Sequence, residues 1–525
     1  MHPLRAILII ALSARLLAVF FAPGYMMHDD HFLTIEPSAS WADGKNFNHW
    51  LPGIGNTNEH PEPISFFYLG FLYVFFSIFN VLGIDAPETQ MLLMRAIHAL
   101  YSLLTVYFGF KITRHIGTLK DAKMVGLLLA CIAIMPNFSV RNLVEMVCMP
   151  PLLAGMWLLI RYIPLRDFKL GPIQLQGLDQ QQPSSAPWIK IALAAFIMGL
   201  AVGVRFQTGL FVAVVGGILW LQHSFKALII FGITSFAAFF LTQIDDILLW
   251  GGQPFQHLQG YFAYNKKNAL NYPGSPLAYL SFISVFILPP VSIFLTIGFF
   301  RNWRKLAIIV LPTLAFLIFH ILYPNKQERF ILPILPFFVI AGVMGWNHLA
   351  ERRNFGRWQT ISLNIFWIIN TIAMLTLCFT YSKRSRVEAM TYLYERGDCN
   401  NFILEFTHSP TGAMMPQFYS NRWTTYYYFK QGDPMEGVMR NFEHEATETA
   451  NEIMPRTLPN YILFYDDNQL EQRVARMRTF YPKLTFCTTI ESGWFDEMLH
   501  ALNPKNTLEK IHIYTIGAPA APVFP

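Results

Sequence analysis

The chain is short of the residues from which soluble enzymes build their surfaces. Charged residues occupy 14% of its 525 positions and hydrophobic ones 53%, a balance that excludes an ordinary soluble multidomain protein. Its five cysteines, at 131, 148, 378, 399 and 487, include no Cys-x-x-Cys pair and no His/Cys spacing of a zinc site. Neither a structural metal nor a disulfide framework is therefore indicated. Cys399 and Cys487 have the option of pairing if the tail is exported, and free thiols are an equal alternative. There is no internal repeat, and Gly53-Ile54-Gly55 lacks the strand–turn–helix context of a nucleotide-binding loop. The net charge of +6 is accounted for by Lys and Arg in loops beside apolar segments, so nucleic acid is not an expected partner.

What the chain has in abundance is apolar runs near bilayer length, with a mean hydropathy of +0.35. They fall at 4–22, 64–83, 92–112, 124–140, 143–162, 188–204, 207–222, 226–249, 277–300, 305–322, 330–348 and 358–381. This pattern predicts an α-helical polytopic membrane protein of about a dozen spans, surrounded by membrane lipids. Ala22-Pro23-Gly24-Tyr25 is a poor cleavage site, so the first run reads as a retained span. Basic clusters at 111–123, 161–169, 301–305 and 352–357 place those loops in the cytoplasm. Loops at 137–141, 205, 251–275 and 323–329 then face the other side, with the tail. A full crossing by 64–83 would invert this parity. The assignment therefore requires a re-entrant segment, a further crossing between 23 and 91, or an exception at 111–123.

Composition divides the chain into a transmembrane module, 1–382, and a soluble domain, 383–525. The first exoplasmic loop, 23–63, is rich in Gly, Pro, His, Asn and Trp and is expected to pack against the membrane face. The Gln/Pro/Ser-rich stretch 171–187 reads as a flexible loop. In the tail, strand-like runs at 401–406, 461–465, 484–489 and 511–516 alternate with helical stretches at 468–479 and 495–502. That alternation predicts a small accessory α/β domain.

Three charged clusters stand at the ends of apolar segments. His28-Asp29-Asp30-His31-Phe32 follows the first span. An adjacent acid pair there either stays solvated or serves as a general base and its neighbour. Arg141-Asn142 precedes Glu145 at a turn between segments, where the glutamate forms a structural ion pair or meets substrate. Lys326, Glu328 and Arg329 follow Tyr323-Pro324. Cations on that side run against the positive-inside bias, so they either bind an anion such as phosphate or anchor to headgroups. Arg205 and Gln207 interrupt a very apolar stretch, with anion binding and bundle packing as the two readings. His60-Pro61-Glu62-Pro63 opens the second apolar segment and is expected to line the site. His28, His31, His49 and His60 show no His-x₃-His or His-Glu-x-x-His spacing, so a divalent metal is possible but not indicated. All of these clusters are expected to line one site at the membrane face.

Together the clusters resemble the GT-C superfamily of polyprenyl-phosphate-sugar-dependent glycosyltransferases, and most closely the mannosyltransferases of glycosyltransferase family 22. A Pro-Asp-Glu-His-Phe-like motif reads here His28-Asp29-Asp30-His31-Phe32. An Arg…Asn-x-x-Glu motif reads Arg141 with Asn142 and Glu145, and an Arg-Pro-Thr-like motif reads Arg205-Phe206-Gln207-Thr208. A His-Lys-Glu-x-Arg-Phe…Pro motif reads Asn325-Lys326-Gln327-Glu328-Arg329-Phe330 with Pro333 and Pro336. The resemblance implies an inverting transfer of mannose, or a related hexose, from a polyprenyl-phosphate donor to an exoplasmic lipid-linked or glycan acceptor. Asp29 would be the base, Asp30 its acidic partner, and Lys326 and Arg329 the holders of the departing phosphate. No cofactor is required for that chemistry. The alternatives are a transporter or flippase of a lipid-linked or anionic solute, and a protein O-glycosyltransferase of the same superfamily. A tail without an ER retrieval signal points to a bacterial inner membrane with a periplasmic site, or the ER membrane in a eukaryote.

Overall fold

The computed structural model describes residues 2–52, 64–163, 188–249, 253–271, 273–301, 303–406, 414–448, 457–504, 506 and 508–517, excluding the side chains of 440 and 443–448. His60, the Gly53-Ile54-Gly55 stretch and the 171–187 loop lie outside them. The chain forms two compact units. The first comprises the described residues of Met1–Phe20, His60–Tyr68 and Arg95–Phe379, and the second those of Phe21–Glu59, Leu69–Met94 and Thr380–Pro525. The division thus runs differently from a boundary at 382: the first loop packs with the tail.

The first unit is helical. Six described helices are long and apolar enough to cross a membrane: Pro3–Phe21, Pro87–Ile116, Val144–Tyr162, Phe225–Leu248, Glu328–Arg352 and Gly356–Cys378. A seventh span is reached if Ala278–Phe286 and Val291–Arg301 count as one, although they bend by 116°, with Pro289-Pro290 between them. Trp188–Val204, Thr208–Gln222 and Ala307–Leu322 are apolar but shorter, as is Phe66–Val81, most of which belongs to the second unit. The expected dozen spans are therefore not confirmed. Trp188–Val204 and Thr208–Gln222 stop short because Arg205 and its neighbours leave the helix between them.

The parity conflict has a physical resolution. Arg95 Nε donates to the Val19 carbonyl at 2.9 Å, and Arg15 Nε donates to Ser102 Oγ at 2.7 Å. As one helix descends in number the other rises, so Pro3–Phe21 and Pro87–Ile116 run antiparallel. No net crossing lies between them, and Phe66–Val81, with 16 residues, is too short to be one.

The run 124–140 is not one span either. The helix Leu119–Cys131 breaks before Ile134–Phe138, and a broken backbone in lipid needs internal partners. Asn370 supplies two: its amide donates to the Cys131 carbonyl at 2.6 Å and its oxygen accepts from Ala133 N at 2.8 Å. Arg15, fully buried, donates to the Ala130 carbonyl at 3.2 Å. Elsewhere, Val291–Arg301 and Leu335–Arg352 approach so closely that a Cβ on Gly298 or Gly345 would overlap the facing backbone, a small-residue contact of the membrane-helix kind.

The helix ends sort by charge. Asn347 donates to Asp121 at 2.6 Å, Gln359 to Asn347 at 2.5 Å, and Lys190 lies 5.3 Å over the Tyr162 ring. These contacts join the basic ends. The opposite ends of Val144–Tyr162 and Glu328–Arg352 carry Glu145 and Arg329.

The second unit contains a five-stranded sheet in the order β2-β1-β3-β5-β4, with β1 Phe402–Phe406, β2 Tyr427–Lys430, β3 Tyr461–Tyr465, β4 Thr485–Ile490 and β5 Ile511–Thr515. β1 is parallel to β2 and β3, while β5 is antiparallel to β3 and β4. Four strands match the sequence expectation. β2 was not foreseen, because its Tyr-Tyr-Phe run is aromatic on both faces and hides the alternation that burial reveals. The helices Leu470–Arg478 and Trp494–Leu502 fall where expected, and Arg384–Arg396 and Met435–Glu448 are additional.

Replacing Asn370 by Leu would strand the Cys131 carbonyl and the Ala133 amide, each costing about 1–3 kcal/mol when buried and unpaired. The expected result is a lower Tm in detergent with the surviving folded protein fully active. An unchanged Tm would show that the break at Ile132 is held by something else.

Candidate active site

In the first unit three span junctions converge on one carboxylate. Glu145 sits in the first turn of Val144–Tyr162, 1% exposed. Its Oε1 accepts from Arg205 Nη1 at 2.8 Å, and Arg329 Nε lies 3.7 Å from the same oxygen. These contacts put the junctions at 145, 205 and 329 on one face, opposite the basic ends. Asn137, just upstream, donates to the Leu377 carbonyl at 2.6 Å, so the last span ends at this face as well.

The two guanidiniums are used differently. Arg329 turns its Nε and Nη2 onto Gln327 Oε1, at 3.0 and 2.7 Å. Arg205 spends only Nη1 on Glu145. Its Nε and Nη2 are buried with no hydrogen-bond partner among the described residues, and so is Glu145 Oε2. Phe330 lies under both cations, 5.2 Å from Arg205 Cζ and 5.8 Å from Arg329 Cζ, which adds cation–π attraction. Gln207 donates to the Tyr261 hydroxyl. Asn142 accepts from the Tyr68 hydroxyl at 3.4 Å, and that hydroxyl also meets His98 Nε2 at 2.6 Å.

Lys326 is turned elsewhere. Its ammonium donates to the carbonyls of His320 and Ile321, both at 2.8 Å, and to that of Tyr323, neutralising the C-terminal end of Ala307–Leu322. Glu328 is half-buried, and Arg141 is 3% exposed beside Asn142. Gln327 and Phe330 stood in the quoted motif without a role of their own, and Tyr261 had no signal in the sequence. Tyr261 in particular sits in a stretch that reads as loop.

The second unit holds His28, Asp29, Asp30 and His31. Gly24, at φ +76°, pairs with Ser382, and a Cβ there would overlap the Ser382 carbonyl, so the chain leaves the first span through a turn that favours glycine. The two aspartates then differ. Asp30 is 3% exposed, and its carboxylate accepts from the backbone amides of Met26 and Met27, both at 3.1 Å. Asp29 is half-exposed in the same short turn, Asp29–Phe32. His28 is exposed and stacks on Phe32. His31 is fully buried between Tyr25 and Tyr419, at ring distances of 4.8 and 5.6 Å, with Nε2 3.5 Å from Glu36.

The tail residues are the frame of this loop. Phe418 N donates to Glu36 at 3.4 Å and Trp423 Nε1 to Asp43 at 2.6 Å. Arg386 donates twice to Glu509 at 2.8 Å, and Lys383 once at 3.2 Å. Among the described residues no group of three or more His, Cys, Asp and Glu is arranged to hold a metal ion.

A family model described as the Alg9-like mannosyltransferase family matches residues 6–408. The chain belongs to that family. It is a membrane-bound glycosyltransferase, with its Glu145, Arg205 and Arg329 cluster inside the matched region. ArnT from Cupriavidus metallidurans is similar in structure. The form bound to undecaprenyl phosphate aligns at 12% identity over 98% of each chain with a TM-score of 0.56, and the apo form scores 0.57. The archaeal oligosaccharyltransferase AglB from Archaeoglobus fulgidus, solved with an inhibitory peptide and a dolichol-phosphate, aligns at 11% identity over 99% of this chain and 75% of that one, with a TM-score of 0.51. At these identities the likeness is one of fold, which this mannosyltransferase-family chain shares with both. No curated protein matches in sequence.

The tail contacts predict a pH-dependent stability. Burial raises the Glu509 carboxyl, but Arg386 and Lys383 more than offset it and hold it below its ordinary value. A carboxylate depressed in the folded state stabilises above its unfolded pKa and loses that contribution as pH falls through the folded one. Glu509→Gln is expected to cost about 1–3 kcal/mol near neutrality. Its Tm deficit should shrink as the medium is taken below about pH 4. An equal deficit at both ends of that range would mean that the ion pairs contribute nothing.

Proposed function

We propose that the protein transfers mannose from a polyprenyl phosphate to a hydroxyl of a lipid-linked or glycan acceptor, with inversion at the anomeric carbon. The observation that carries this reading is the Nε–Nη2 edge of Arg205, buried and without a hydrogen-bond partner among the described residues. That edge presents two parallel donors, which match two oxygens of one phosphate. Arg329 adds a second positive charge. Glu145 holds Arg205 from behind by Nη1. Undecaprenyl phosphate in ArnT and dolichol-phosphate in AglB are lipid carriers of the chemistry such an edge would grip.

The acceptor oxygen attacks the anomeric carbon and the bond from that carbon to the phosphate oxygen breaks. The electron pair leaves with the lipid phosphate, and the hydroxyl proton passes to Asp29. Asp30, committed to the Met26 and Met27 amides, holds the turn that presents Asp29. Lys326, by its contacts, is assigned to the helix end rather than to the phosphate. Two guanidiniums carry the developing charge, so the reading calls on no cofactor. With the basic helix ends in the cytoplasm, the arginine cluster faces the exoplasmic side, the periplasmic face of a bacterial inner membrane.

Two substitutions test the roles separately. Arg205→Ala removes two charge-assisted hydrogen bonds and is expected to lower kcat/KM for the donor by about 10² or more. Arg205→Lys should recover only part, since an ammonium has no bidentate edge. Donor kinetics unaltered by Arg205→Ala would remove that residue from the phosphate site. Asp29→Asn is expected to cost roughly 10²–10⁴ in kcat with donor binding intact. Near-native turnover in that variant would take Asp29 out of the mechanism. Mass spectrometry of products formed from polyprenyl-phosphate hexoses identifies the sugar and the acceptor.

A further inference from the structure

Glu145 is an unusual companion for a phosphate. It lies 1% exposed, bonded to one guanidinium and 3.7 Å from a second. Its Oε2 has no hydrogen-bond donor among the described residues, so its charge is not dissipated by further contacts. The carboxylate takes one unit from the positive charge that the two guanidiniums present. The arrangement also keeps the carboxylate on Nη1 of Arg205, away from the Nε–Nη2 edge, so an anion on that edge feels the negative charge without displacing it.

The chemistry gives that charge a purpose. A sugar phosphodiester carries one negative charge. Once the sugar leaves, the lipid phosphate is a monoester that carries close to two. A bare pair of arginines would hold the product tighter than the substrate, and release would limit turnover. We propose that Glu145 is a specificity-determining residue that sets the charge of this site, so that it takes the singly charged phosphodiester and lets the doubly charged lipid monophosphate go. This rests on the assignment of Arg205 to the donor phosphate. Glu145 touches neither sugar nor acceptor in this account; it acts through the guanidiniums.

Competition binding at pH 8 reads the effect, with the full-length protein in detergent, undecaprenyl phosphate as the monoester and a polyprenyl-phosphate mannose as the diester. In Glu145→Gln the monoester is expected to tighten relative to the diester by about tenfold or more, the order that one uncompensated unit charge gives at short range. Progress curves should then show a burst followed by slow, product-inhibited turnover. Glu145→Asp should restore the native ratio. An unchanged or reversed ratio in Glu145→Gln overturns the proposal. If Glu145→Gln does not fold, the native protein decides: a monoester preference of a few-fold or less supports charge matching, and one of roughly a hundredfold or more contradicts it. Arg205→Ala separates the two levels. If both lipids bind that variant as they bind the native protein, the phosphate assignment itself fails. If both weaken while the Glu145→Gln ratio stays native, only the inference about Glu145 does.

Discussion

A carboxylate shared by two guanidiniums closes one end of the membrane-embedded unit, and much of the unit's organisation answers to it. An isolated buried charge among apolar helices costs several kcal/mol, and removing one partner of a buried pair exposes that cost. Glu145, in the first turn of its span, meets Arg205 where the apolar stretch 188–222 leaves the helix, and Arg329 beside it. Arg329 stands nearby because the helix behind it docks through Gly342 and Gly345 onto Val291–Arg301. The interruption at Arg205 and the charges of the candidate site are thus one feature. The polar price of the break at Ile132 is met separately, by Asn370 and Arg15.

The second unit solves a different problem, that of holding a polar loop still. Backbone amides on Asp30, the stack of Tyr25, His31 and Tyr419, and bonds from Phe418 and Trp423 leave the loop few alternative conformations. The tail is therefore more than an appendage. Its sheet is the rigid element to which Glu509 and Arg386 tie the chain that follows the last span.

Much of this was legible in the residues, for reasons that also explain what was not. Long apolar runs, basic loops and three charged clusters at span ends are local signals, and they pointed to a helical membrane enzyme and to Glu145, Arg205 and Arg329. Partnership is not local. The sequence offers Arg141 as the neighbour of Glu145, but the carboxylate pairs with Arg205, sixty residues on. Lys326 and Arg329 stand three apart and look equivalent, yet one caps a helix while the other approaches Glu145. Asp29 and Asp30 are likewise indistinguishable until the Met26 and Met27 amides select one of them. The run 124–140 reads as one span for the same reason, since a hydropathy run cannot show that Asn370 stitches a break inside it.

The proposed chemistry depends on which anion the buried edge of Arg205 is made for. A structure of the protein with undecaprenyl phosphate bound tests this most directly. The expected result places phosphate oxygens about 3 Å from Nε and Nη2 of Arg205, with Glu145 still on Nη1. A phosphate seated away from Arg205, with that edge still facing only protein, would contradict it.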